Sequence, residues 1–123
     1  MLSNRRGNDG IRLRQYSRLS VNFPLTYVVE GDVAAKPGRM RDIGGGGIQF
    51  ESAESFAQNS ALTIAFELPP GLDVELRGRT VLSVPDADDR HRHRVAFVSV
   101  PDSVRTAIVD YVYKAFFDEL MRS

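Results

Sequence analysis

The chain has 123 residues, 42% hydrophobic and 26% charged, which is the profile of one folded domain with an ordinary charged surface. Sixteen Lys plus Arg balance sixteen Asp plus Glu, which argues against a protein devoted to gripping a long polyanion, because such binding rests on excess positive charge. Cysteine is absent, and with it go disulfides, thiolate nucleophiles, zinc fingers and iron–sulfur clusters.

No apolar run approaches the ~20 residues needed to cross a bilayer, and the N-terminus lacks the apolar core of a signal peptide. The expectation is a soluble, cytoplasmic domain without membrane insertion. Its charge is uneven. Residues 1–18 hold five Arg against one Asp, a net +4, so the other 105 residues carry −4. Fourteen of the sixteen basic residues are Arg, the side chain whose planar fork matches phosphate and guanine edges.

Residues 1–13, rich in Gly, Asn and Arg, are expected to form a flexible tail ahead of a domain spanning 14–123. Val21, Phe23, Leu25, Tyr27 and Val29 then alternate with polar residues, the period of a half-buried strand, and Pro24 marks an edge or a bulge within it. Gly31-Asp32 is a turn. A basic stretch with Arg39 and Arg41 leads to Asp42-Ile43-Gly44-Gly45-Gly46-Gly47, after which Ile48-Gln49-Phe50-Glu51 alternates again. Residues 53–60 are loop-like. Leu62, Ile64, Phe66 and Leu68 make another strand, closed by Pro69-Pro70-Gly71. Val74, Leu76, Leu82 and Val84 share one phase, and Arg94 to Val100 is a further strand. Five or six short strands at this spacing suggest a sandwich or a small barrel.

The last segment is different. Pro101-Asp102-Ser103 supplies a cap and a first-turn acid, and no Gly or Pro follows, so a helix is expected over about 102–121. Val104, Ile108, Tyr111, Val112 and Ala115 form one apolar stripe, and Val109, Tyr113, Phe116, Phe117, Leu120 and Met121 form a second beside it. That arc exceeds what an ordinary surface helix buries. A second face is expected to meet something other than the chain's own barrel.

Two elements carry chemistry. Arg14-x-x-x-Arg18 can close two guanidinium groups over an anion from the junction between tail and first strand. The four glycines after Asp42 imply close backbone approaches. They are neither a Walker loop nor a dinucleotide fingerprint, because a strand follows them and not a helix. Together, an Arg pair and a carboxylate beside a glycine-lined surface suit a phosphorylated guanine ligand. Arg donates to O6 and N7, and the acid accepts from N1–H and N2–H₂ on the opposite edge.

These two motifs, Arg14-x-x-x-Arg18 followed by Leu19-Ser20-Val21-Asn22-Phe23-Pro24-Leu25, and Asp42-Ile43-Gly44-Gly45-Gly46-Gly47-Ile48, resemble the signature of the PilZ domain family over roughly residues 12–120. The resemblance implies a six-stranded antiparallel β-barrel with a C-terminal α-helix and a flexible N-terminal arm, acting as a cyclic di-GMP receptor without a further cofactor. It implies that Arg14 and Arg18 clasp phosphate and guanine, that Asp42 reads a guanine edge, and that Gly47 lets the ligand lie against the barrel. Gly44 stands where the family usually has Ser, a lost hydroxyl contact of about 1–2 kcal/mol. Leu13, in place of a further Arg, leans towards a single ligand molecule. The signal would pass to a protein partner or a second protomer through the C-terminal helix. The alternative is a degenerate PilZ domain that works as a ligand-independent interaction or dimerisation module through that helix.

Other chemistries fare worse. His91 and His93 would face the same way on a strand near Asp86, Asp88 and Asp89, but two His among surface acids fit a solvated hairpin better than a metal site. They have no nucleophile partner, so no enzyme is expected. Phe23, Tyr27, Phe50 and Phe66 follow the apolar phase of their strands and belong to a core, not to stacking platforms for DNA or RNA.

Overall fold

Each apolar alternation in the chain becomes one wall of a closed barrel. The computed structural model describes residues 16–122, so the expected tail, residues 1–13, and the candidate Arg14 lie outside the described residues. The strands are β1 (Arg18–Val29), β2 (Lys36–Gly44), β3 (Gly47–Ser52), β4 (Ala61–Leu68), β5 (Leu72–Pro85) and β6 (His91–Ser99), followed by the helix α1 (Asp102–Arg122). They pair antiparallel in the order β1-β2-β3-β6-β5-β4 and close on themselves. Closure gives every inward face a common core and removes unpaired sheet edges. That core contains Tyr27, Met40, Ile43, Ile48, Phe50, Leu62, Ile64, Phe66, Leu76 and Val95.

Departures from the period-2 pattern have local causes. β2 looks like a basic loop because only Met40 and Ile43 reach the core, and a register shift between Met40 and Asp42 moves its inward phase by one residue. Pro24 is tolerated because β4 pairs with β1 only from Thr26, so Pro24 has a strand on one side alone. Leu82 and Val84 do not continue the buried phase of Val74 and Leu76. A shift against β6 between Thr80 and Leu82 turns them outward, to 53% and 38% exposure. β6 also begins three residues before Arg94, and His93 is fully buried within it, so the expected solvated hairpin is corrected.

His93 is satisfied where it sits. Its Nε2 lies 2.8 Å from Ser52 Oγ and its Nδ1 2.9 Å from Ser83 Oγ, with its ring 4.2 Å from that of Phe56. Ser83 Oγ accepts from the Phe56 amide and Ser52 Oγ donates to the Glu54 carbonyl, which assigns the proton to Nε2. The same loop is held by Tyr27, whose hydroxyl donates to Glu54 Oε1 at 2.6 Å. Burial and this acid push the Tyr27 hydroxyl up to about 12.

Gly47 opens β3 opposite Ala96. A Cβ there would meet the Val95 carbonyl oxygen at 2.2 Å, a backbone atom that cannot give way cheaply. Its missing side chain is therefore a condition of the β3–β6 pairing.

α1 packs across β1 and β2. Ile108 and Val112 are buried, Val104, Ala107 and Tyr111 lean on the same cluster, and the Tyr111 and Phe23 rings lie 6.1 Å apart. The second apolar stripe stays uncovered. Tyr113, Phe116, Phe117, Leu120 and Met121 are between 41% and 69% exposed. Among the described residues no helix is long and apolar enough to cross a membrane.

Two predictions follow from this packing. Burial, reinforced by the charge of His91, lowers the His93 pKa to about 4. As pH falls below ~6.5 the unfolded chain takes up this proton while the folded chain does not, so stability is lost between pH 6.5 and about 4, by up to about 3 kcal/mol. Denaturant titrations at pH 7 and 4.5 are expected to show the wild type losing about 2–3 kcal/mol more than His93→Gln; equal losses would contradict a buried neutral imidazole. Gly47→Ala is expected to abolish cooperative unfolding or lower the Tm by ten degrees or more, on the order of 3 kcal/mol. A melting curve like that of the wild type would show that the β3–β6 approach relaxes freely.

Candidate functional site

The site forms where the chain enters the barrel. Arg18 lies opposite Gly44 and Ser20 opposite Asp42, which puts Arg18 and Asp42 diagonally across one strand pair and on its outer face. Arg18 Nε donates to Asp42 Oδ1 at 2.9 Å and Nη2 to the same oxygen at 2.5 Å. The two side chains are 16% and 19% exposed. Charge-assisted bonds of this kind are strong, and withdrawal from water strengthens them further.

Beside the pair, Gly44 ends β2, Gly45 and Gly46 turn the chain, and Gly47 starts β3. A Cβ on Gly44 would lie 2.7 Å from the Ser17 carbonyl oxygen, so the entering chain occupies the space that a Ser side chain would need. The Phe97 amide donates to the Gly46 carbonyl at 2.9 Å, fastening the turn to β6. Arg18, Asp42, Gly44 and Gly47 are therefore brought together at one corner, while Arg14 lies outside the described residues.

Tyr16 completes the corner. Its ring covers Gly45, where a Cβ would approach Cδ1 to 2.7 Å and Val109 Cγ2 to 2.9 Å. Arg105 on α1 donates from Nη1 to the Tyr16 hydroxyl at 3.0 Å and lies 5.6 Å over its ring, a cation–π distance. A small cavity bounded by Tyr16, Ser17, Gly45, Val109, Val112 and Tyr113 marks the seam. The motif's two arginines drew attention to themselves alone. The signal for Tyr16 was available, an aromatic midway between them, but its partner Arg105 stands 89 residues further on and no local pattern announces it.

On the other side of Arg18 a broad groove of about 1000 Å³ opens between Ser20, Pro69, Tyr111 and Lys114. A second cleft, at Tyr27, Lys36, Arg39, Glu54 and Arg90, lies by the far end of the β1–β2 pair, where Tyr27 faces Lys36. Lys36 and Tyr27 both bond Glu54 there, which holds its carboxyl below the usual range. His91 and His93 do face the same way, with rings 6.5 Å apart, yet both His93 nitrogens already have serine partners.

Solved structures of similar fold carry related descriptions. The chain is similar to the Bacillus subtilis inhibitor of motility (MotI/DgrA), with a TM-score of 0.77 and 17% identity over 85% of this chain, which corresponds to 52% of that one. This chain thus spans about half of that protein. It is similar to the PilZ domain of YcgR from Escherichia coli with c-di-GMP, with a TM-score of 0.65 and 12% identity over 89% of this chain and 98% of that one. It is also similar to a tetrameric PilZ domain from Xanthomonas campestris, described as self-assembled through a helical bundle, with a TM-score of 0.66 and 10% identity over 86% and 89% of the two chains. No curated protein matches the chain. At these identities the structures establish the fold, and the PilZ domain family model matches residues 12–114. The chain therefore belongs to the PilZ domain family, a family of non-catalytic cyclic di-GMP receptor domains.

Proposed function

We propose that this chain is a cyclic di-GMP receptor and adaptor whose N-terminal Arg arm settles on the ligand and passes that change to α1. The observation that carries this reading is the Arg18–Asp42 pair beside the glycine turn. A guanine base offers O6 and N7 on one edge to a guanidinium and N1–H and N2–H₂ on the other to a carboxylate, so one ligand base has partners for both members of the pair. Arg14, four residues before Arg18, supplies the second cation for the phosphates. Gly44 and Gly47, which make room for the Ser17 and Val95 backbone, hold the turn close beside the pair. The description of the Escherichia coli relative with c-di-GMP supports the ligand class.

The signal has a route. Tyr16 lies two residues from each motif arginine, covers Gly45 and accepts from Arg105 of α1, so an arm that moves to grip ligand moves the contact with α1. The Xanthomonas campestris relative, assembled through a helical bundle, supports α1 as the element that meets a partner or a second protomer. One observation favours the ligand-independent alternative. Gly44 lacks the family's usual Ser, and Ser17 fills the room that it would need.

Isothermal titration calorimetry of the full chain separates the two readings. Micromolar-range binding is expected, with Arg14→Ala, Arg18→Ala and Asp42→Ala each weakening it by about tenfold or more. Wild-type protein that gives no heat with excess ligand removes the receptor reading and leaves the ligand-independent one. For the route, Tyr16→Ala is expected to change affinity by less than about fivefold and to erase the ligand-dependent change in amide exchange over residues 105–113. If the variant's helix still responds to ligand as the wild type does, Tyr16 is not the link.

A further inference from the structure

We infer that the uncovered stripe of α1 pairs antiparallel with the same stripe of a second copy of this chain. This rests on the part of the preceding reading that makes α1 the contact element, and it commits that element to one occupant.

The last two turns of α1 are uncovered: residues 116–122 are all exposed. Tyr113, Phe117 and Met121 lie on one i, i+4 row and Phe116 and Leu120 on the next, the ridge-and-groove surface by which helices interlock. At their 41–69% exposure these five side chains leave roughly 500 Å² of mainly apolar surface per helix. A monomer seldom tolerates a larger contiguous patch, and two such stripes together remove about 1,000 Å², the lower bound of a specific interface.

Charge identifies the occupant. The row directly beside Tyr113, Phe117 and Met121 reads Asp110, Lys114, Asp118, Arg122, alternating minus, plus, minus, plus. Read backwards, it is its own complement. In an antiparallel pair the same side of each helix faces its counterpart. With the two-fold axis at Phe116, Asp110 meets Arg122 of the second copy and Lys114 meets Asp118. Parallel two-fold pairing would set this row against the opposite flank of the second copy, the Phe116 and Leu120 side, and lose the self-match. Exposed pairs add little affinity, but they do choose orientation and partner, and a self-complementary patch is what a two-fold dimer requires.

Sedimentation of the full chain over about 1–500 μM, a range bracketing typical weak dimers, is expected to show a monomer–dimer equilibrium. Phe117→Glu with Leu120→Glu is expected to leave only monomer, and because both sites are exposed the circular dichroism spectrum should not change. Lys114→Asp alone sets acid against Asp118 of the second copy and is expected to weaken dimerisation about fivefold or more. Adding Asp118→Lys restores the complement and is expected to return the Kd to within about twofold. A wild type that stays monomeric throughout, a dimer indifferent to the two Glu substitutions, or a double charge swap no better than the single one would each overturn the proposal. Cyclic di-GMP titrated into the monomeric variant tests the receptor reading by itself, so failure of one claim is distinguished from failure of the other.

Discussion

The joint between Arg18 and Asp42 is the interaction around which the candidate site is arranged. Each side chain is largely withdrawn from water, so removing either one strands the other in a place that solvates charge poorly. One carboxylate oxygen accepts from two guanidinium nitrogens, and the pair runs diagonally between β1 and β2. It thereby sets the path by which the chain enters the barrel. A ligand that offered only an anion would take Arg18 and abandon Asp42. In the proposed reading a guanine base, with acceptors on one edge and donors on the other, compensates both charges. On that reading the pair is both preorganised and displaceable, the two properties a receptor site needs.

The glycine run beside it answers several neighbours simultaneously. Gly47 makes room for the β6 backbone, Gly45 for the Tyr16 ring and Val109, and Gly44 for the Ser17 carbonyl. Three different elements press on three of these four residues. This is a stronger reason for the run than loop flexibility, and it gives the departure at Gly44 a steric meaning: the entering segment has replaced a side chain with its own backbone. In the proposed reading, a ligand that lifts this segment also uncovers the turn.

How far the sequence could be read depended on whether period and phase stayed regular. β4 alternates without interruption, and its four inward residues were legible one by one. β2 was not, because a bulge after Met40 splits its two core residues into different phases and Arg39 and Arg41 dominate its composition. The outward turn of Leu82 and Val84 has the same origin, a bulge that no composition signals. His93 was misjudged for another reason. Its charged neighbours suggest solvent, while its burial is decided by Ser52 and Ser83, two serines on other strands. At the site, the spacing between Arg18 and Asp42 made their proximity legible through the family resemblance. The Tyr16–Arg105 contact joins residues too distant in sequence for any spacing rule.

Tyr16 and the exposed stripe of α1 belong to one mechanical line. Val109, Tyr113, Phe117 and Met121 share a row, and its first member closes on Gly45 together with Tyr16. Twelve residues of helix, about 18 Å, separate Val109 from Met121. Ile108 and Val112 anchor the helix to the barrel, and in the proposed reading a displacement at Val109 would be carried to Met121 as a change of angle. Coupling of this kind is reciprocal. If ligand at Arg18 and Asp42 alters how two copies pair, pairing alters ligand affinity by the same factor. The abundance of the chain would then set its own sensitivity to the messenger, with no further component required.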